Sequence, residues 1–307
     1  MSPQIEVQLV AVVTAVACAL PGAFLVLRRL SMMSDAISHA ILPGIVVGFL
    51  LTESLASPLL IVGAAATGLL TVVLVERIEG TGLVREDAAI GLVFPVLFSL
   101  GVVLLARYAS DVHLDVDAVL LGELAFVPFD RFELGSYDLG PRALWVMGAV
   151  LLINVAFLTV FYKELKLATF DAQLAAALGF MPGALHYALM SLVSVTAVSA
   201  FDAVGSILVV ALMVAPPATA YLLTDRLARM MLLSAGLGVA YALVGYAGSA
   251  ALDVSIAGSM ATVAGLLFGV ALIAAPERGL LATWRRQHHH TAQFSAQLLT
   301  AYLTHPD

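Results

Sequence analysis

Nine apolar stretches, each close to the length that carries a helix across a lipid bilayer, set the terms for this chain. They lie near residues 5–27, 36–52, 57–76, 88–106, 142–162, 183–201, 204–223, 230–250 and 256–275. A crossing helix needs about 20 mostly apolar residues, and within hydrocarbon a helix satisfies its own backbone N–H and C=O groups. The expected fold is therefore an all-α polytopic membrane protein. Composition agrees: 11% of residues are charged, against about 25% in a soluble domain. The first run ends in Arg28 and Arg29 rather than a small-residue cleavage site, and no basic segment precedes it, so it reads as a retained span.

Two of the stretches are weaker. The 36–52 run is short and holds Pro43; the 183–223 pair is divided only by Phe201, Asp202 and Ala203 and broken again by Pro216 and Pro217. Either is a full crossing or a re-entrant passage buried in protein, which leaves about 8 to 9 transmembrane helices. Positive charge then orients the chain. With the N-terminus outside and the C-terminus inside, Arg28, Arg29, Arg77, Arg85, Lys163, Lys166, Arg226, Arg229, Arg278, Arg285 and Arg286 fall inside, and only Arg107, Arg131 and Arg142 fall outside.

The long outside connection, 107–141, carries seven acids, Asp111, Asp115, Asp117, Glu123, Asp130, Glu133 and Asp138, with His113. It is either an acidic mouth that concentrates cations or an ordinary solvated loop. Its piece "DAVLLGELAFVPF" is too short to span and is expected to lie as a surface helix. No linker divides the chain: residues 1–285 form one transmembrane domain, and 286–307 a cytoplasmic tail with His288, His289 and His290.

Several chemistries have no carrier. There is no GxxxxGK[ST] loop to cradle nucleotide phosphates, no HExxH, and no setting for a nucleophile elbow. The reading is a non-catalytic subunit; if ATP drives it, a separate partner binds the ATP. Basic surface is too sparse for a nucleic acid partner. The single cysteine, Cys18, builds neither a disulfide framework nor a thiolate metal site, so any metal is held by oxygen and nitrogen.

The stretch "SDAISHA" supplies such donors. Asp35 and His39 are four residues apart, hence on one face if the segment is helical. Carboxylate and imidazole suit borderline divalent ions such as zinc, manganese and iron, and two ligands hold weakly, as conduction requires. Ser34 and Ser38 are candidate supporting oxygens. The competing reading makes Asp35 a helix cap and His39 a satisfied interior histidine, although ionisable groups at membrane depth are by default functional. A second polar insertion, residues 199–226, contains Asp202, either a cap for the following helix or a carboxylate on a central path. Pro216 and Pro217 there free carbonyls that either ligate an ion or merely kink the helix.

The cytoplasmic segment 163–183, "KELKLATFDAQLAAALGFMPG", predicts a short helix: Asp171 as N-cap, helix formers over 172–178, Gly179 at C′ and Pro182 as a stop. A helix so short needs a surface to pack on. Phe170, Leu174, Leu178 and Phe180 offer an apolar face, for a soluble partner or for the membrane surface.

Taken together, "LRRLSMMSDAISHAILPG", "FYKELKLATFDAQLAAALG" and "FDAVGSILVVALMVAPPATAYLLTDRL" resemble the permease subunits of ATP-binding cassette importers for zinc, manganese and iron(II). The resemblance covers roughly residues 5–285, and the third motif looks like the manganese branch. It implies a type II importer fold related to the vitamin B12 permeases, in a bacterial cell membrane. It implies that Asp35 and His39 contact the transported metal, manganese first, with no permanently bound cofactor. It implies that residues 170–180, including Phe170, Asp171, Leu174, Leu178 and Gly179, form a coupling helix seated in an ATPase subunit. The implied partners are two ATPase chains, an extracellular metal-binding lipoprotein and a second permease, identical or paralogous. The rival reading is a self-contained secondary transporter driven by protons, with Asp35, His39 and Asp202 as the relay. A membrane scaffold is disfavoured, since an anchor has no use for interior polar groups.

Overall fold

A computed structural model describes residues 2–53, 57–108, 124–134, 137–276 and 278–284. The helices are α1 (Pro3–Leu27), α2 (Ser31–Ala40), α3 (Leu42–Thr52), α4 (Pro58–Glu79), α5 (Glu86–Tyr108), α6 (Arg142–Val160), α7 (Tyr162–Phe170), α8 (Ala172–Ala177), α9 (Pro182–Val204), α10 (Ser206–Leu223), α11 (Leu227–Leu252) and α12 (Ile256–Ala274). With α2 and α3 taken as one passage, Ser31–Thr52, nine of the described segments are long and apolar enough to cross a membrane.

Both doubtful stretches thus become full-length passages. Pro43 stands at the start of α3, where a missing N–H costs little, and it leaves the His39 carbonyl without its usual i+4 donor. Pro216 and Pro217 lie inside an unbroken α10. The division between α9 and α10 falls at Gly205, whose φ of +79° suits only glycine. Asp202 is in the last turn of α9, and the residue capping α10 is Gly205 with no side-chain cap, so the capping role for Asp202 does not hold.

Helix α1 is the axis of the molecule. It is apolar and buried around much of its circumference, from Val7 to Leu25, and packs against α6, α9, α10 and α11, as expected of a helix with no polar face. Close crossings are made by glycine. A Cβ on Gly22 of α1 would stand 2.0 Å from the Met213 carbonyl of α10; one on Gly44 of α3 would stand 2.1 Å from the Gly63 carbonyl of α4. Backbone-to-backbone contact of this kind drives helix association in lipid. Midway along, Asn154 of α6 donates to the Ala17 carbonyl (2.8 Å) and to Thr196 of α9 (3.0 Å), tying three helices through a buried amide.

The connection before α6 departs from an all-helical fold. Leu124–Phe129 is a 3₁₀ turn, followed by a hairpin of β1 (Arg131–Leu134) and β2 (Tyr137–Pro141) that pairs Arg131 with Pro141. The expected surface helix over "DAVLLGELAFVPF" is represented by this 3₁₀ turn; its first half, like Asp111, His113, Asp115, Asp117 and Glu123, lies outside the described residues. Arg131 fastens the hairpin to the bundle, donating through both terminal nitrogens to the buried Glu6 of α1 (3.3 Å each) and approaching Asp138 at 2.6 Å. Those hydrogen bonds, with one from the Gly140 N–H, hold the Asp138 carboxyl below its ordinary range and raise the Arg131 guanidinium.

The two ends of the bundle differ in charge. Arg28, Arg29, Arg226, Arg229 and Arg278 gather at the end bearing α7 and α8, while Arg131 and Arg142 lie at the hairpin end. The tail histidines are outside the described residues.

Candidate metal pathway

Asp35 and His39 project from one face of α2, as their spacing requires, with Asp35 Oδ1 3.4 Å from His39 Nε2. The turn before α2 is capped without any side chain, and Asp35 is the fifth helical residue. A cap it is not. His39 is the ninth residue of its passage, about 12 Å along it at 1.5 Å per residue, and its ring lies 5.9 Å from that of Phe94 in α5. The rest of α2 is buried core: Met33, Ala36, Ile37 and Ala40. Ser34 and Ser38 are buried as well, and their hydroxyls donate back to the carbonyls of Ser31 and Ser34 (2.9 Å each). They serve the helix rather than the acid and histidine.

The pair remains accessible, His39 at 32% and Asp35 at 40% of the side-chain surface. Asp35 opens on a groove of about 470 Å³ walled by Val210, Ala211, Val214, Ala215 and Ala218 of α10 and by Phe268 of α12. Among the described residues, no other ionisable side chain lines it. A carboxylate on an apolar wall attracts a cation more strongly than the same group in water, because screening is weaker there. Among the described residues, no three of His, Cys, Asp and Glu come together; Asp35 and His39 stand as a pair.

The remaining sequence candidates fall elsewhere. Asp202 lines a different cavity, of about 410 Å³, with Asp130 and Arg142 at the hairpin end. The far wall of that cavity includes Ile41 and Ile45, just beyond His39, but it does not contain the pair. Pro216 and Pro217 are buried in α10 and do not line its groove. The Met213 carbonyl, which Pro217 deprives of a donor, is the one packed on Gly22.

The segment 163–183 folds as two short helices, α7 and α8, where one was expected. Asp171 Oδ1 accepts from Leu174 N at 2.8 Å, capping α8. At its far end Phe180 N reaches the Ala175 carbonyl and Gly179 N the Ala176 carbonyl (3.0 Å each), with Gly179 at φ +86°. This is a complete Schellman stop. Phe170, Leu174 and Leu178 are 62%, 46% and 61% exposed, an apolar face presented outward at the basic end of the bundle.

Sequence reading passed over two ionisable residues set within apolar runs, Glu76 and His186. They meet at the same end, with Arg28 and Thr169. The signal available was their type alone, since charged groups inside spans are rare.

Comparison with known proteins places these features in context. The profile of the ABC 3 transport family matches residues 4–275. The manganese transport system membrane protein MntD of Bacillus subtilis is 47% identical over 270 residues, 88% of this chain and 91% of that protein. The zinc transport system membrane protein TroD of Treponema pallidum is 50% identical over 276 residues, 90% of this chain and 75% of that protein. Among solved structures, PsaBC from Streptococcus pneumoniae in complex with Fab superposes with a TM-score of 0.74 at 28% identity, covering 91% of this chain and 94% of that one.

Proposed function

The chain belongs to the ABC 3 transport family, and from that premise we propose that Asp35 and His39 are the ligands a divalent metal ion meets as it crosses this subunit. The protein is a membrane-spanning permease subunit of a metal importer in the bacterial cell membrane, the role its manganese- and zinc-named relatives hold. Manganese is the first-choice substrate; zinc and iron(II) have donor requirements that the same two side chains satisfy.

The observation that carries the reading is the position of the pair: an acid and a histidine in contact and part-exposed, with the acid opening on an otherwise apolar groove. An interior ion pair that served stability alone would be closed over by packing. Here the open side of the groove bears Ala211, Ala215 and Ala218, small residues that let another helix approach closely. A second permease, identical or paralogous, completes the path from that side. An ion released by an extracellular metal-binding protein then exchanges part of its water for Asp35 and His39, and leaves readily because two ligands hold it weakly.

The chain has no nucleotide-binding loop, so ATP is hydrolysed by partner subunits. The capped α8 with exposed Phe170, Leu174 and Leu178 is the surface on which such a partner seats. The basic end of the bundle faces the cytoplasm, which sets the N-terminus outside.

The deciding experiment is manganese and zinc uptake into proteoliposomes holding this chain, with and without its ATPase and binding-protein partners. Uptake that needs ATP and the ATPase supports the importer reading. Uptake by the chain alone, driven by a proton gradient, would replace it with a proton-coupled transporter.

A further inference from the structure

Four elements meet at the basic end of the bundle around one guanidinium. Arg28, in the turn joining α1 to α2, donates from Nε to Thr169 Oγ1 (3.1 Å) and from Nη1 to His186 Nδ1 (3.0 Å). The other ring nitrogen of His186, Nε2, faces the Glu76 carboxylate of α4. Since a guanidinium only donates, His186 must accept at Nδ1 and carry its proton on Nε2, toward Glu76. The Tyr187 ring stands edge-on to that of His186, with centroids 5.5 Å apart. The array thus runs in one sense: Arg28 to His186 to Glu76.

Stability alone is a poor reason for this array. Burial removes water from Arg28 and lowers its affinity for its proton, and Arg28 Nη2 is buried with no hydrogen-bond partner among the described residues. Apolar side chains of similar volume would hold such an end of the bundle at least as well. The turn that carries Arg28 is also constrained. Leu30 N bonds to the Leu25 carbonyl and Arg29 N to the Val26 carbonyl, a Schellman stop with arginine rather than glycine at φ +64°. A non-glycine residue in that region costs about 1–2 kcal/mol, and such strain persists where the surroundings over-determine it.

What the array joins is specific. Thr169 is two residues before Asp171, the cap of α8. Arg28 is three residues before Ser31, where α2 begins, and one turn of α2 beyond that stands Asp35. We propose that Arg28 is a positioning residue that carries displacement of the α7–α8 segment to α2, with His186 and Glu76 fixing its guanidinium, so that ATPase seating moves the metal ligands. The inference rests on the transport reading above and adds to it the link between drive and path.

The test measures manganese moved per ATP hydrolysed by the complete importer in proteoliposomes. Wild-type uptake that needs ATP comes first, because its absence would count against the transport reading itself. Given that, Arg28→Ala and His186→Leu should keep ATP hydrolysis within about twofold while manganese moved per ATP falls about tenfold. His186→Gln, which retains an acceptor and a donor, should recover most of the ratio. Adding Thr169→Val to Arg28→Ala should cost nothing further, as expected for members of one link. The exposed Arg85→Ala variant serves as the reference for an unrelated charge at this end. A wild-type ratio in Arg28→Ala would overturn the proposal. So would joint loss of hydrolysis, transport and complex assembly in both Arg28→Ala and His186→Gln, which would make the array a structural tie.

Discussion

At the scale of single residues, the structure separates side chains that look alike in the sequence. Asp35 and Asp202 are both acids in apolar surroundings. Only Asp35 has a histidine one turn away and an open groove before it; Asp202 stands with Asp130 and Arg142 in another cavity. The pairing of Asp35 with His39 was legible because an i,i+4 relation is local. The fate of Ser34, Ser38 and Asp202 was not, since it depends on which helix face meets which neighbour. Asp138 yields a prediction with a defined sign. Arg131 depresses its folded pKa, so its contribution to hairpin stability is present above the ordinary carboxylate value and is lost as pH falls through the lowered one. Protease cleavage of the hairpin should therefore stay slow at neutral pH and rise below about pH 4. In Asp138→Asn it should be faster at neutral pH and change less with acid; an unchanged neutral rate would count against the tie.

At the scale of elements, stop signals were read well and crossings were not. Asp171, Gly179 and Pro182 marked α8 within a residue because caps are chemistry of the backbone ends. The unremarked neighbour was α7, whose pattern continues the preceding span without a break. Gly179→Ala should fray the end of α8, since a Cβ at φ +86° costs about 1 kcal/mol. The ATPase should then bind less tightly, which a titration of the detergent-solubilised permease with ATPase would read. Crossings such as Gly44 on Gly63 carry no sequence mark beyond glycine itself. Gly44→Leu drives its side chain into the Gly63 carbonyl and the Thr67 hydroxyl, and overpacking of this kind costs about 1–3 kcal/mol. A lower thermal midpoint in detergent is the expected outcome, and an unchanged one would mean the helices can part there.

At the scale of the whole molecule, hydropathy alone located nine passages, and the two that looked broken are complete helices or a helix pair. Proline left the reading open because its effect depends on what packs beside it, and at Met213, whose carbonyl Pro217 leaves without a donor, that neighbour is the backbone of Gly22. Basic residues gather at one end, so cysteines placed at Arg77 and Arg229 should resist membrane-impermeant thiol reagents in intact cells, and one at Arg131 should react. The reverse pattern would invert the proposed orientation. The central claim is that the ion touches Asp35 and His39 on its way. Its most direct measurement is ATP-driven manganese uptake by importer carrying Asp35→Ala and His39→Ala together, with ATP hydrolysis followed in the same vesicles. Uptake should fall at least about tenfold, the scale of lost metal-site contacts, with hydrolysis retained; uptake at the wild-type rate would mean that the ion does not meet this pair.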